Sequence, residues 1–277
     1  MILDKIAAST RIRVEDAKKQ LSAYDLIKRL KDTDKIPKNN HREVFAFEKA
    51  LRKDHMAFIC EVKKASPSKG ILVENFPYLS IAKEYEEAGA DAISVLTEPE
   101  FFKGNDRYLS EISSGSSVPL LRKDFTLDEY QIYEAKLIGA DAVLLICSLL
   151  DTKTLKHFIR LCDQLKISAL VEAHTEEEVK SALEAGARII GVNNRNLHTF
   201  EVNLDISIRL RALVPEEIIF VAESGIRSSL DVLRLREAGV NAVLIGETLM
   251  KSENKSEMLL YLKEGRKNRF LGEVTYD

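Results

Sequence analysis

Tryptophan is missing from all 277 residues, so the chain brings no indole chromophore of its own. Cysteine is scarce. Cys60, Cys147 and Cys162 are too few and too scattered for a disulfide framework. They read as reduced packing residues of a cytoplasmic protein. No apolar run approaches the ~20 residues of a membrane helix. The opening stretch MILDKIAASTRIR also lacks the apolar core of a signal peptide. Excess charge of one sign is absent too. The net charge is −3, which leaves no electrostatic footprint for nucleic acid. The charged residues, 31% of the chain, are mixed in sign and read as solvated helix faces. His41, His55, His157 and His198 are scattered, only His174 lies near a strand end, and no pair has ligand spacing. No metal site is expected from such a pattern. A GxGxxG turn, a Walker loop and a Ser/Cys–His nucleophile motif are also missing. Nothing in the sequence identifies a protein partner.

Eight short apolar runs are present instead. They are FICEVK (58–63), AISVLT (92–97), VPLLRK (118–123), AVLLIC (142–147), SALVEA (168–173), RIIGVNN (188–194), IIFVAES (218–224) and AVLIGE (242–247). Mostly amphipathic stretches of helix length separate them. Each run is strand-sized and rich in Val, Ile and Leu, as in a parallel sheet covered on both faces. Eight strand–helix units need about 250 residues, so a single (β/α)8 barrel fits the chain. A repeat supports closure: AGAD, IGAD, AGAR and AGVN precede the second, fourth, sixth and eighth strands. Each glycine follows a helical pattern, where a left-handed residue ends a helix. Gly-Ala turns common to any α/β protein are the alternative. Residues 1–57 contain no βα unit. ILDKIAAS, DAKKQLSAYDLIKRLK and FAFEKALRKD predict helices, with a break at Pro37 and Asn39–Asn40. They form a helical extension packed on the barrel, because so charged a segment cannot build its own core. NKSEMLLYLKEG (254–265) predicts the helix after the eighth strand.

Most strands end in polar or charged residues, and a closed barrel would gather those ends at one mouth. In the first strand, period-two alternation puts Glu61 and Lys63 on one face and Val62 on the other. The alternative for this pair is a buried ion pair that fills the barrel, although such burial rarely stabilises. KASPSKG (64–70) follows, either as a ligand-covering loop or as a plain turn. Lys123 shares a face with Leu121 on the third strand, and Glu172 with Leu170 on the fifth. Two lysines and two glutamates in one pocket make an acid–base set. After the sixth strand, Asn193 and Arg195 face the pocket together. An arginine fork suits a carboxylate or phosphate, and an inter-loop ion pair is the alternative. ESG after the seventh strand and IGE after the eighth fit a phosphate-binding barrel, with Gly225 and Gly246 admitting close backbone approach. Two tight βα turns would explain the same glycines. Phe101 and Phe102 supply either an apolar lip for an aromatic ligand or loop packing.

Together these residues resemble the indole-3-glycerol phosphate synthase family. The matching segments are ILDKI, EVKKASPSKG, LTEPEFFKG, PLLRKDF, VEAHT, GVNNRNLHTFEV, ESGI and IGETLM, in order from residue 2 to residue 250. The resemblance implies a (β/α)8 barrel with an N-terminal helical extension. It implies closure of 1-(2-carboxyphenylamino)-1-deoxyribulose 5-phosphate to indole-3-glycerol phosphate, with loss of CO2 and water and without a cofactor. It makes Lys123 the general acid, Glu172 its partner base, and Glu61 with Lys63 the assisting pair. Asn193 orients the substrate and Arg195 contacts the anthranilate carboxylate. Ser66, Phe102 and Phe125 fall among the substrate-binding positions. Ser224, Gly225, Gly246 and Glu247 fall in the phosphate loops, which Lys63 also serves. Lys64 stands where many relatives have arginine. Lys63 and Lys123 remain interchangeable for the two acid steps. A lysine-dependent aldolase or isomerase, or a non-catalytic sugar-phosphate binder, would share the barrel.

Overall fold

The computed structural model describes residues 2–32, 42–196 and 199–264. The expected break at Pro37 and Asn39–Asn40, together with His41 and His198, lies outside the described residues. Eight strands form a closed, all-parallel barrel in chain order. They are β1 (Ala57–Val62), β2 (Ala92–Leu96), β3 (Leu120–Lys123), β4 (Ala142–Ile146), β5 (Ser168–Ala173), β6 (Ile189–Asn193), β7 (Ile219–Glu223) and β8 (Ala242–Ile245). A helix follows each strand, and β1 pairs with both β2 and β8 to close the ring.

Alternation along each strand sorts the core into two parts. Ile59, Leu121, Leu170 and Val221 point into the barrel, while Phe58, Cys60, Val62 and Val95 pack under the helices. Phe47 and Leu51, on the helix α3 (Ala46–Leu51), join the interior cluster and cover the end of the barrel where the strands begin. Gly89, Gly139, Gly186 and Gly239 of the repeat all have positive φ. The fourth residue of the repeat has its own task. Asp91 accepts the backbone N–H of Phe58 at 2.9 Å, Asp141 that of Leu120 at 2.8 Å, and Asn241 that of Phe220 at 2.8 Å. Each thereby ties the start of an even strand to an odd one. Arg188, in the third copy, instead pairs with Glu48 and Asp163.

The N-terminal segment departs from the expected helix DAKKQLSAYDLIKRLK. A continuous helix α1 (Ile2–Gln20) runs through its first part, and α2 (Ala23–Lys31) begins anew after a break. Ser22 causes the break. It adopts an extended conformation and accepts the N–H of Asp25 on its hydroxyl, which caps α2. Val14 and Leu26, from the two helices, pack with Tyr130. The Tyr130 hydroxyl donates to the Leu21 carbonyl at the break. Arg13 reaches the barrel mouth, where Asp124 receives it at 2.6 and 3.0 Å. Among the described residues no helix is long and apolar enough to cross a membrane.

Candidate active site

Two residues beyond Ile59, Leu121, Leu170 and Val221 come Glu61, Lys123, Glu172 and Glu223. The apolar ring from the odd strands is thus followed by a ring of three carboxyls and one ammonium. Branched apolar residues usually fill such a layer, so polarity here is a departure that stability does not favour. Lys123 Nζ lies 3.1 Å from Glu172 Oε2 and 3.4 Å from Glu223 Oε2. Lys63 pairs with Glu61 as the alternation predicts. The even strands make room. A Cβ on Gly191 would collide with the Glu223 carboxyl, and one on Gly246 with both Glu61 and Lys63.

Glu223 is not among the residues expected from the sequence, although Ile219, Val221 and Glu223 follow the same period-two rule. Its electrostatics set it apart. Burial, followed by repulsion from Glu172 and Glu61, outweighs Lys123 and pushes its carboxyl up to about 8. For Glu172, burial alone would raise the carboxyl, but Lys123, His174 and a hydrogen bond from Asn193 bring it below the usual range. Burial opposes the Lys123 ammonium as well, yet Glu172, Glu223 and Glu61 hold its pKa well above the ordinary lysine value. Near neutral pH the ring therefore contains a protonated carboxyl, an ionised one and a firm cation. Titratable neighbours driven apart in this way are what acid–base chemistry requires.

Around the ring stand the loops. The first loop is a short hairpin, Ala65–Ser66 paired with Gly70–Ile71 across a turn at residues 67–69, with Ser66 on its first arm. After β2, the buried Glu98 carboxylate accepts the N–H groups of Glu100, Phe101 and Phe102 at 2.7–2.9 Å. That clamp sets Phe102 beside Phe125, with ring centroids 6.0 Å apart. Both rings are half-buried.

Asn193 Oδ1 accepts the Arg195 N–H at 3.0 Å, which joins the two residues expected to share the pocket. The Arg195 guanidinium is paired across loops, 3.3 Å from Glu247 Oε2, and donates to the Phe200 carbonyl. Burial would raise the Glu247 carboxyl, but Lys251, Lys69 and Arg195 lower it overall. Asn194 carries no sequence signal that sets it apart from its neighbours. It is fully buried, donates to the carbonyls of Glu223 and Ser224, and accepts from Ser207. It thereby locks the β6 and β7 ends together.

Ser224 has a left-handed φ of 65°, a conformation that costs a non-glycine residue energy. Gly225 follows at φ 85°. The side of Gly225 expected to admit a ligand is filled by Val202 and Leu204 from the β6 loop. Its lack of a side chain therefore serves loop packing as well as conformation. Gly246 precedes a short helix, Glu247–Lys251, and offers it no side-chain cap. Helix N–H groups left without such a cap suit an anion. Among the described residues no cluster of three His, Cys, Asp or Glu side chains is arranged to hold a metal ion.

Comparison with known proteins identifies the fold and the family. Among solved structures, 3-hexulose-6-phosphate synthase from Salmonella typhimurium superposes with a TM-score of 0.61 at 16% identity, over 75% of this chain and 97% of that one. At that identity the likeness speaks for the barrel alone. The indole-3-glycerol phosphate synthase of Ruminiclostridium cellulolyticum is 61% identical over 263 residues, 95% of this chain and 99% of its own length. That of Endomicrobium trichonymphae is 56% identical over 264 residues, 95% of this chain and all of its own. The sequence model described as indole-3-glycerol phosphate synthase matches residues 3–262. The chain belongs to the indole-3-glycerol phosphate synthase family.

Proposed function

We propose that the chain closes 1-(2-carboxyphenylamino)-1-deoxyribulose 5-phosphate to indole-3-glycerol phosphate, releasing CO2 and water. The observation that carries this reading is the ring of Glu61, Lys123, Glu172 and Glu223 above an apolar layer. The ring carbon of the anthranilate must attack the ketone carbon of the sugar chain. Lys123, held cationic, stabilises the oxygen that becomes an alkoxide and then delivers a proton to it. Carbon dioxide leaves from the ring carbon that formed the new bond. The hydroxyl then departs as water, and Glu172 takes up the proton whose loss makes the new five-membered ring aromatic. Lys63, steadied by Glu61, is the second ammonium available to either oxygen. Asn193 orients both the substrate and Glu172.

In this reading Arg195 turns from Glu247 to the substrate carboxylate, and Phe102 and Phe125 hold the aromatic ring. Ser66 lies along the sugar chain. Ser224, Gly225, Gly246 and Glu247 surround the phosphate with Lys63 nearby, and phosphate binding holds the chain folded for attack. No cofactor enters these steps. Residues 1–57 act as an extension of one barrel domain, and the protein works in the cytoplasm on this phosphorylated small molecule. Incubation with that substrate tests the proposal. A chain without tryptophan leaves indole fluorescence to the product alone. Appearance of that fluorescence is expected. Its absence, with a borohydride-trapped imine on Lys123 instead, would favour an aldolase.

A further inference from the structure

His174 lies one residue beyond β5, and the steps above leave it unused. Its side chain is 16% exposed and stands between two carboxylates. Nδ1 is 3.3 Å from Glu178 Oε2, on the helix that follows β5. The same oxygen accepts the backbone N–H of His174 at 2.6 Å, so Glu178 fixes both the backbone and the ring. Nε2 is 3.5 Å from Glu172 Oε1, is buried and has no hydrogen-bond partner. The other oxygen of Glu172 accepts from Lys123. The two oxygens are thus divided, with the ammonium on one and the imidazole edge on the other.

This geometry favours one charge state. A neutral ring that donates Nδ1–H to Glu178 would aim the bare Nε2 lone pair at a carboxylate. An imidazolium places an N–H there instead, and a small closure completes the hydrogen bond. Leaving a buried polar atom unpaired is costly. The groups that face the ring are Glu178 from the helix, Glu172 from β5 and Glu223 from β7, with Lys123 beyond Glu172. Cys147, after β4, borders Glu178 and Glu172, and its thiol, pushed up to about 12 mainly by burial, stays neutral. Burial disfavours the imidazolium, but the hydrogen bond to Glu178 and the charges of Glu172 and Glu178 outweigh it and raise the His174 pKa.

We infer that His174 is a positioning residue for Glu172: its imidazolium, anchored by Glu178, fixes Oε1 and keeps that carboxylate ionised. The inference rests on the reading of Glu172 as the base. Its sign follows directly. A base must be ionised to accept a proton, and loss of a neighbouring cation makes ionisation harder. In His174→Gln the acid limb of kcat/KM should therefore move to higher pH by about one unit, while the plateau changes less. Coupling of two titrations is reciprocal. NMR titration of the substrate-free full chain should show the His174 pKa falling by about one unit in Glu172→Gln, and falling also in Glu178→Gln. An unmoved acid limb, or a His174 pKa indifferent to Glu172→Gln, would overturn the inference. The NMR arm needs no turnover and no folded His174 variant. Near-normal turnover of Glu172→Gln would instead defeat the base assignment and leave the coupling to be judged by NMR alone.

Discussion

The Glu223 carboxyl group occupies the space where a side chain on Gly191 would stand. A glycine in the middle of β6 weakens the strand, and here it admits a buried acid from β7. Gly191→Ala should displace Glu223 and disturb Lys123 behind it. We expect turnover to fall about tenfold or more, with a stability loss of about 1–3 kcal/mol from overpacking. Steady-state kinetics and denaturant unfolding of the variant check both.

Glu223 itself makes stability depend on pH. Its carboxyl is pushed up to about 8 in the fold, above its unfolded value. Between those values the folded state binds more protons, so stability falls as pH rises through that window. At pH 5 the group is neutral in the fold and resembles glutamine. At pH 9 it is a buried anion. Glu223→Gln should therefore raise Tm relative to the parent more at pH 9 than at pH 5. An equal shift at both would contradict the assignment.

Much of this site was legible because period-two alternation and strand-end charge are local properties. Glu61, Lys63, Lys123 and Glu172 stand where alternation puts them. The same rule reaches Glu223, but its neighbours Ser224 and Gly225 carry a phosphate-loop pattern that masks it. Pairings between distant segments left no local signal. Arg195 meets Glu247 across 52 residues. Arg122 is buried outside the barrel against Asp106 and Glu134, a contact no periodicity announces. Glu98 reads as one more loop charge until its three backbone donors are seen. The break at Ser22 was hidden because the helical pattern runs on through it.

Arg13 links the N-terminal helix to the residue after Lys123. Asp124 is 1% exposed and also receives the Thr97 hydroxyl at 2.7 Å. Burial would raise its carboxyl, but Arg13 and Arg122 with the Thr97 bond bring it below the usual value. Arg13→Ala leaves Asp124 with Arg122 at 3.9 Å. The variant should lose about 2 kcal/mol at neutral pH, less than a fully stranded buried charge. The deficit should shrink as falling pH protonates Asp124. Urea melts at pH 7 and pH 3.5 compare the two, and an unchanged deficit would contradict the latch.

Arg195 is held by Glu247 before substrate arrives. If it then takes the anthranilate carboxylate, Arg195→Ala should raise KM about tenfold or more, by loss of a charged hydrogen bond. Arg195→Lys should restore only part, because a point charge cannot reproduce the fork. A substrate analogue without the ring carboxylate should bind the parent and Arg195→Ala alike in calorimetry. A large difference for that analogue would assign the arginine to another group.

The central claim is that the ring of strand-end charges performs the closure. Indole fluorescence at saturating substrate measures it directly, with Lys123→Ala and Glu172→Gln beside the parent. Each variant should keep the fold, since both side chains stand above the packed layers. Each should lose ~10²-fold or more in kcat, the scale of a positioned acid or base. A folded variant of either residue that turns over at close to the parent rate would contradict the account.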